Sequence, residues 1–170
     1  MLDAGIVAGD RVALFMPNRP ELVLAYLACF RVGAIAVALN TRYRAREVAF
    51  ALERSGAQTL IADGDLVGEV DGAPERMWIV GGEDRGWHQA LDGEVRATVP
   101  VSPEAPALIL FTSGSTAAPK GVTHTHASID HTAATRARVQ RLGPDDVNLV
   151  TLAAVHVAAP RVAQDDPPAL

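Results

Sequence analysis

The stretch Phe111-Thr112-Ser113-Gly114-Ser115-Thr116-Ala117-Ala118-Pro119-Lys120-Gly121 gathers the residues of this chain best suited to chemistry. It follows the apolar run Ala107 to Phe111, which has the length of a strand and ends where the small residues begin. Backbone N–H groups without bulky side chains can turn toward an anion, hydroxyls add donors, and a lysine adds a mobile positive charge. Thr112, Ser113, Gly114, Ser115, Thr116, Lys120 and Gly121 are therefore candidate phosphate-binding residues. A plain surface turn draws on the same residue types, but the strand before the loop and the Pro-Lys-Gly after it favour the phosphate reading. The spacing excludes a kinase-like or GTPase-like P-loop: counting from Gly114, the sixth position is Pro119 instead of glycine. Gly121 also follows Lys120 where a magnesium-binding Ser or Thr belongs.

Other reactive side chains are sparse. His124, His126 and His131 form H-x-H-x4-H, which could hold a metal if the three rings converged, but no cysteine or carboxylate stands at ligand spacing to complete a site. No metal site and no catalytic residue are assigned. Cys29 is the one cysteine, so no intramolecular disulfide is possible, and its apolar surroundings mark it as a small core residue.

The elements that must position the loop read as alternating strands and helices. Gly9-Asp10 is a turn signal before a strand at Arg11 to Met16. Asn18 and Glu21 stand at capping-box spacing before a helix from Leu22 to Val32, with Pro20 suited to its first turn and Gly33 to its stop. That helix is apolar nearly all round, which predicts packing on more than one side. Ile35 to Leu39 is a second strand. Val48, Ala51, Leu52 and Ser55 recur at helical spacing, giving an amphipathic helix from Ala45 that Gly56 ends, and Thr59 to Ala62 is a third strand. A β-α-β-α-β order predicts an α/β fold with an open, mostly parallel sheet and flanking helices. Between Asp63 and Pro106 repeated glycines leave one credible strand, Met77 to Val80, in a connecting region of the same domain. Trp78 and Trp87 read as packing residues. After the loop come a short strand at Val122 to Thr125, a helix from Ser128 to Arg141, and strand-like composition at Val147 to Leu152. One domain over residues 1–160 and an irregular tail over 161–170 are expected.

Composition sets outer bounds. A chain of 170 residues, 49% hydrophobic and 21% charged, can bury a real core. Its formal net charge of −5 argues against a general nucleic-acid binder, and Arg42, Arg44, Arg46 and Arg54 are read as solvated charge around the second helix. The acidic opening MLDAGIVAGD lacks the basic region of a signal peptide, and no apolar run approaches a membrane span. A cytoplasmic location with no membrane span is the expectation.

With these motifs in order, the chain resembles the AMP-dependent synthetase/ligase superfamily, the acyl-adenylate-forming enzymes that include acyl-CoA synthetases. FTSGSTAAPKGV resembles the family's phosphate-binding signature, the stretch from Gly9 to Asp63 its first α/β units, and NLVTLAAVHVA its next core motif. The resemblance implies a two-step ligase reaction. A carboxylate attacks the α-phosphate of ATP, carried with Mg2+, to give an acyl-adenylate and pyrophosphate; CoA or another thiol then takes the acyl group and releases AMP. It further implies that Thr112, Ser113, Gly114, Ser115 and Thr116 contact the β- and γ-phosphates, with Lys120 as charged partner and Gly121 completing the loop. His156 matches a histidine beside the acyl pocket of many acyl-CoA synthetases; the alternative is a strand-end histidine satisfied by backbone groups. Ala117 stands where the family usually has glycine, and Ala153 and Ala154 replace its usual proline and leucine.

The family's later motifs, for magnesium, for the ribose and for the adenylating lysine, have no counterpart among these residues. A truncated acyl-CoA synthetase-like ligase is therefore expected, with the change of character after Pro160 compatible with a frameshift. The partners implied are a small carboxylic acid, ATP and a chain supplying the missing domain. The alternatives are a non-catalytic nucleotide-binding module and an inactive gene remnant.

Overall fold

The computed structural model describes residues 1, 4–72, 74–81, 86–88, 99–112 and 119–147. Among these residues six strands form one sheet: β1 (Arg11–Phe15), β2 (Ile35–Ala38), β3 (Thr59–Asp63), β4 (Arg76–Val80), β5 (Pro106–Thr112) and β6 (Lys120–Thr125). Their spatial order is β4-β3-β1-β2-β5-β6. The first five run parallel, and β6 pairs antiparallel with β5 at one edge. The expected α/β fold with an open, mostly parallel sheet and flanking helices is the observed one.

The sheet is wound on both faces, and the sequence of β1 shows why. Its successive side chains point to opposite sides: Val12 and Leu14 join one apolar core, Ala13 and Phe15 the other. Helix α1 (Pro20–Val32) links β1 to β2 and buries Leu22, Ala25, Tyr26, Cys29 and Val32 in the first core. Helix α2 (Ala45–Ser55) links β2 to β3 and buries Val48, Ala51 and Leu52 in the second. A strand coated on both faces reads as a continuous apolar run, and RVALF is one.

Helix ends follow the expected glycines more closely than the expected cap. Gly33 and Gly56 adopt φ of 74° and 65°, left-handed values that let each helix stop where the sequence places the stop. The start of α1 differs. Its N-cap is Arg19, not Asn18, and Glu21 is held by the Arg19 guanidinium at 2.8 and 3.2 Å. A two-pronged charged hydrogen bond outcompetes the backbone N–H that a capping box would offer that carboxylate. The apolar circumference of α1 packs on the sheet and, through Phe30, on His126, but it is not covered all round: among the described residues Val23 and Leu24 stay exposed.

Helix α2 is fastened at both ends by residues remote in sequence. Glu69 accepts from the Ala45 N–H at 3.1 Å and from Arg44 at 2.6 Å, so a carboxylate sits at the positive end of the helix. At the other end Arg11 donates to Ser55 O at 3.2 Å and Gly56 O at 2.9 Å. Glu69 comes from a 3-10 helix, Gly64–Glu69, that the glycine-rich composition conceals. Beyond β6, α3 (His126–Gln140) begins two residues earlier than predicted. The Thr125 hydroxyl accepts from the Ser128 N–H and the Ser128 hydroxyl accepts from the Thr125 N–H, a reciprocal cap that draws His126 and Ala127 into the first turn. The proposed strand at 147–152 and the tail at 161–170 lie outside the described residues, apart from Val147.

Candidate functional site

The candidate loop is the tip of a hairpin, and its flanks are strand. Thr112 faces Lys120 across β5 and β6, and Phe111 faces Gly121. Sequence alone assigns Thr112, Lys120 and Gly121 to the loop, since lysine and glycine are poor strand formers; cross-strand pairing overrides that tendency. The residues between, Ser113, Gly114, Ser115 and Thr116 with Ala117 and Ala118, lie outside the described residues, and so does His156.

Each flanking residue has a definite setting. Phe111 is buried against α2, its ring edge-on to Phe50 with centroids 6.4 Å apart. Burying a ring of that size is worth ~2 kcal/mol, enough to fix the end of β5. Gly121 lies over the same core: a Cβ added there would come within 3.2 Å of Ile109 Cγ2 and 3.5 Å of Phe111 Cε1. Its glycine lets β6 close over Phe111. Thr112 and Lys120, one residue further along each strand, point to the opposite face. Both are exposed, and the Thr112 hydroxyl donates to Lys120 O over a long 3.4 Å. The single O–H of Thr112 is thus engaged by a long bond, while its oxygen keeps acceptor capacity at the surface. Lys120 makes no ion pair among the described residues.

Thr112, paired with Lys120, ends β5 at the carboxyl-terminal edge of the parallel strands, the edge at which open α/β sheets take their ligands. Two other cations near that edge, Arg19 and Arg44, are committed. Arg19 bridges Glu21 and the buried Asp63, contacting Asp63 Oδ2 at 2.5 Å. Hydrogen bonds to Glu21 and then Asp63 raise its already high pKa, and the Arg19 bond in turn holds the Glu21 carboxyl below its usual range. Arg44 is taken by Glu69. The Arg19–Glu21–Asp63 knot went unread in the sequence because Arg19 and Asp63 are 44 positions apart and belong to separate elements. The one available signal was an aspartate closing an otherwise apolar strand.

The histidine triad does not gather. His124 lies on β6, His131 is exposed on α3, and His126 packs edge-on against Phe30 with centroids 5.6 Å apart. Among the described residues, no three His, Cys, Asp or Glu side chains stand together as metal ligands.

A strand-turn-strand with Ser/Thr/Gly at its tip, appended to a doubly wound sheet, invites comparison with known proteins. Residues 1–163 match the family model of the AMP-binding enzymes. The chain belongs to this family. It is 35% identical over 140 residues to the 3-hydroxybenzoate--CoA/4-hydroxybenzoate--CoA ligase of Thauera aromatica, a match covering 74% of this chain and 26% of that protein. Against the long-chain-fatty-acid--CoA ligase FadD13 of Mycobacterium tuberculosis H37Rv the identity is 34% over 169 residues, covering 91% and 32%. The solved N-terminal domain of FACL13 from Mycobacterium tuberculosis, with an inhibitor bound, superposes with a TM-score of 0.81 at 31% identity, covering 93% of this chain and 42% of that one. The chain thus has the fold of the N-terminal part of these adenylate-forming ligases. It spans between a quarter and a third of the length of the curated relatives it matches. No described helix is long and apolar enough to cross a membrane.

Proposed function

We propose that the β5–β6 hairpin binds the β- and γ-phosphates of ATP, and that this chain supplies the phosphate-holding part of an AMP-forming acid–thiol ligase. The observation that carries the reading is the pairing of Thr112 with Lys120. It brings an exposed hydroxyl and an ammonium with no ion-pair partner among the described residues to one face at the mouth of the Ser113–Thr116 tip, while Phe111 and Gly121 fix the strands beneath them. Ser113, Gly114, Ser115 and Thr116 are, by residue type, the further donors that this reading calls on. An anion suits this donor set, since Arg19 and Arg44 are already neutralised by carboxylates. Magnesium enters with the triphosphate, and we assign it no protein ligand.

The chemistry served is displacement of pyrophosphate from the α-phosphorus by a carboxylate, followed by acyl transfer to CoA or another thiol with release of AMP. Charge stabilisation and positioning dominate such reactions, and the hairpin contributes both by neutralising and fixing the leaving group. His156 is assigned to the acyl pocket. The chain is similar both to a ligase named for hydroxybenzoates and to one named for long-chain fatty acids, and no acid is assigned.

A second reading, a nucleotide-binding module without turnover, is favoured by Ala117, which stands in the candidate loop where the family signature usually has glycine. Calorimetric titration with MgATP, paired with acid-dependent ATP/pyrophosphate exchange, separates the two. Binding that weakens about tenfold or more in Lys120→Ala supports the phosphate assignment, because one charge-assisted contact is worth ~1.5–3 kcal/mol. Binding unaffected by that change would sink it. Sustained exchange by the 170 residues selects the ligase reading; binding without exchange selects the module, and absence of any heat selects an inactive remnant.

A further inference from the structure

The base of the same hairpin holds a group that the phosphate reading leaves without a task. His126 opens α3 directly after β6, and its Nε2 is buried with no hydrogen-bond partner among the described residues. Its ring stands edge-on to Phe30 of α1, with an interplanar angle of 75°. The main chain is pinned at the same place: the His126 N–H donates to Ala105 O at 3.2 Å, and the Ala127 N–H donates to Pro103 O at 2.8 Å. One turn on, Ile129 packs against the core beneath α1. The imidazole of His126 and the side chain of Ile129 thus both seat the start of α3 on the α1 side of the sheet.

Charge on that imidazole is disfavoured at its buried Nε2. A neutral ring can leave Nε2 as a bare lone pair at modest cost, whereas a protonated ring makes it a cationic donor that requires an acceptor or water. The first turn of a helix also carries the positive end of its dipole and repels a cation. Titratable and charged side chains on the surrounding elements are Arg31 on α1, Glu104 in the preceding segment, His124 on β6, and Asp130 and His131 on α3. Arg31, Glu104, Asp130 and His131 are exposed. Burial is what lowers the His126 pKa.

We propose that His126 is an acid-released latch: neutral, it holds the first turn of α3 against α1 through Phe30; protonated, it leaves that contact for water and frees α3. Since α3 continues directly from β6, release loosens the base of the hairpin whose tip carries the candidate loop. The sign follows from linkage. An opened form binds the proton with an ordinary histidine pKa of ~6.5 and the closed form binds it less well, so closure is complete above that value and weakens as pH falls below it.

Two measurements on the 170-residue chain test this. Imidazole C2–H resonances followed by NMR should show His126 titrating below its ordinary value, with His88→Gln, His124→Gln, His131→Gln and His156→Gln used to isolate its signal. Hydrogen-exchange protection factors of the first α3 amides should fall by up to about tenfold per pH unit below ~6.5, while those of β1 and β3 hold. His126→Phe keeps a ring against Phe30 and removes the proton site, and it should make α3 protection independent of pH over that range. A His126 pKa at or above the ordinary value overturns the latch, as does an unchanged pH response in His126→Phe. If that variant fails to fold, the titration of the unaltered chain decides alone.

Discussion

Cys29 illustrates how far a single atom's chemistry is set by its surroundings. Its side chain is fully buried in the core under α1, and burial pushes the thiol up to about 12. The thiolate is the reactive species, so a thiol-specific disulfide reagent should modify the native chain roughly two or more orders of magnitude more slowly than the denatured chain, reaction requiring opening of the core. Equal rates in both states would show that α1 is not seated as described. The same burial has a pH signature. Folding retains a proton that the unfolded chain gives up near its ordinary thiol value of ~8.5, so the stabilisation is fully present below that pH and declines as pH rises toward 12. Tyr26, whose phenol is raised chiefly by burial, adds in the same direction. Urea midpoints across alkaline pH should show a shallower decline in Cys29→Ala.

At the level of elements, α2 offers the sharpest test, because its ends are held by residues that share nothing but the helix. Arg11→Ala removes a cation from the carboxyl-terminal carbonyls, and Glu69→Gln removes charge from the amino-terminal N–H groups. Each should cost about 1 kcal/mol. The ends of an 11-residue helix lie ~16 Å apart, so the double variant should lose the sum to within about 0.5 kcal/mol in chemical denaturation. A clear departure from additivity would mean that Arg11 and Glu69 are coupled through the strands.

These contacts also mark where sequence reading stops. β1, β2, β3 and β5 were legible because a strand coated on both faces must be apolar throughout, and α2 because Val48, Ala51 and Leu52 repeat at helical spacing before a left-handed glycine. Glu69 and Arg11 were not, since a surface carboxylate or guanidinium acquires its role only when the chain brings a helix end to it. The candidate site divides in the same way. Its residue types announced an anion, while the strand pairing that sets Thr112 against Lys120 came from the tertiary structure.

Across the whole molecule, order is unevenly distributed. β1, central in the sheet and coated on both faces, should exchange its amide hydrogens most slowly, together with β3 and β2. α3, which buries no residue fully, should exchange soonest among the helices. Exchange monitored by NMR at neutral pH checks the ranking, and slow exchange in α3 relative to β1 would contradict it.

The sheet order has an optical consequence as well. Both tryptophans, Trp78 on β4 and Trp87 shortly after it, are buried together in the core beside β4, while the candidate loop hangs from β5 and β6 at the opposite edge. Five strand spacings, about 24 Å, separate the two edges. Intrinsic tryptophan emission will therefore follow unfolding of the chain faithfully and remain dark to a nucleotide arriving at the hairpin. A silent fluorescence titration of this protein would report the distance between its chromophores and its site, not the absence of a ligand.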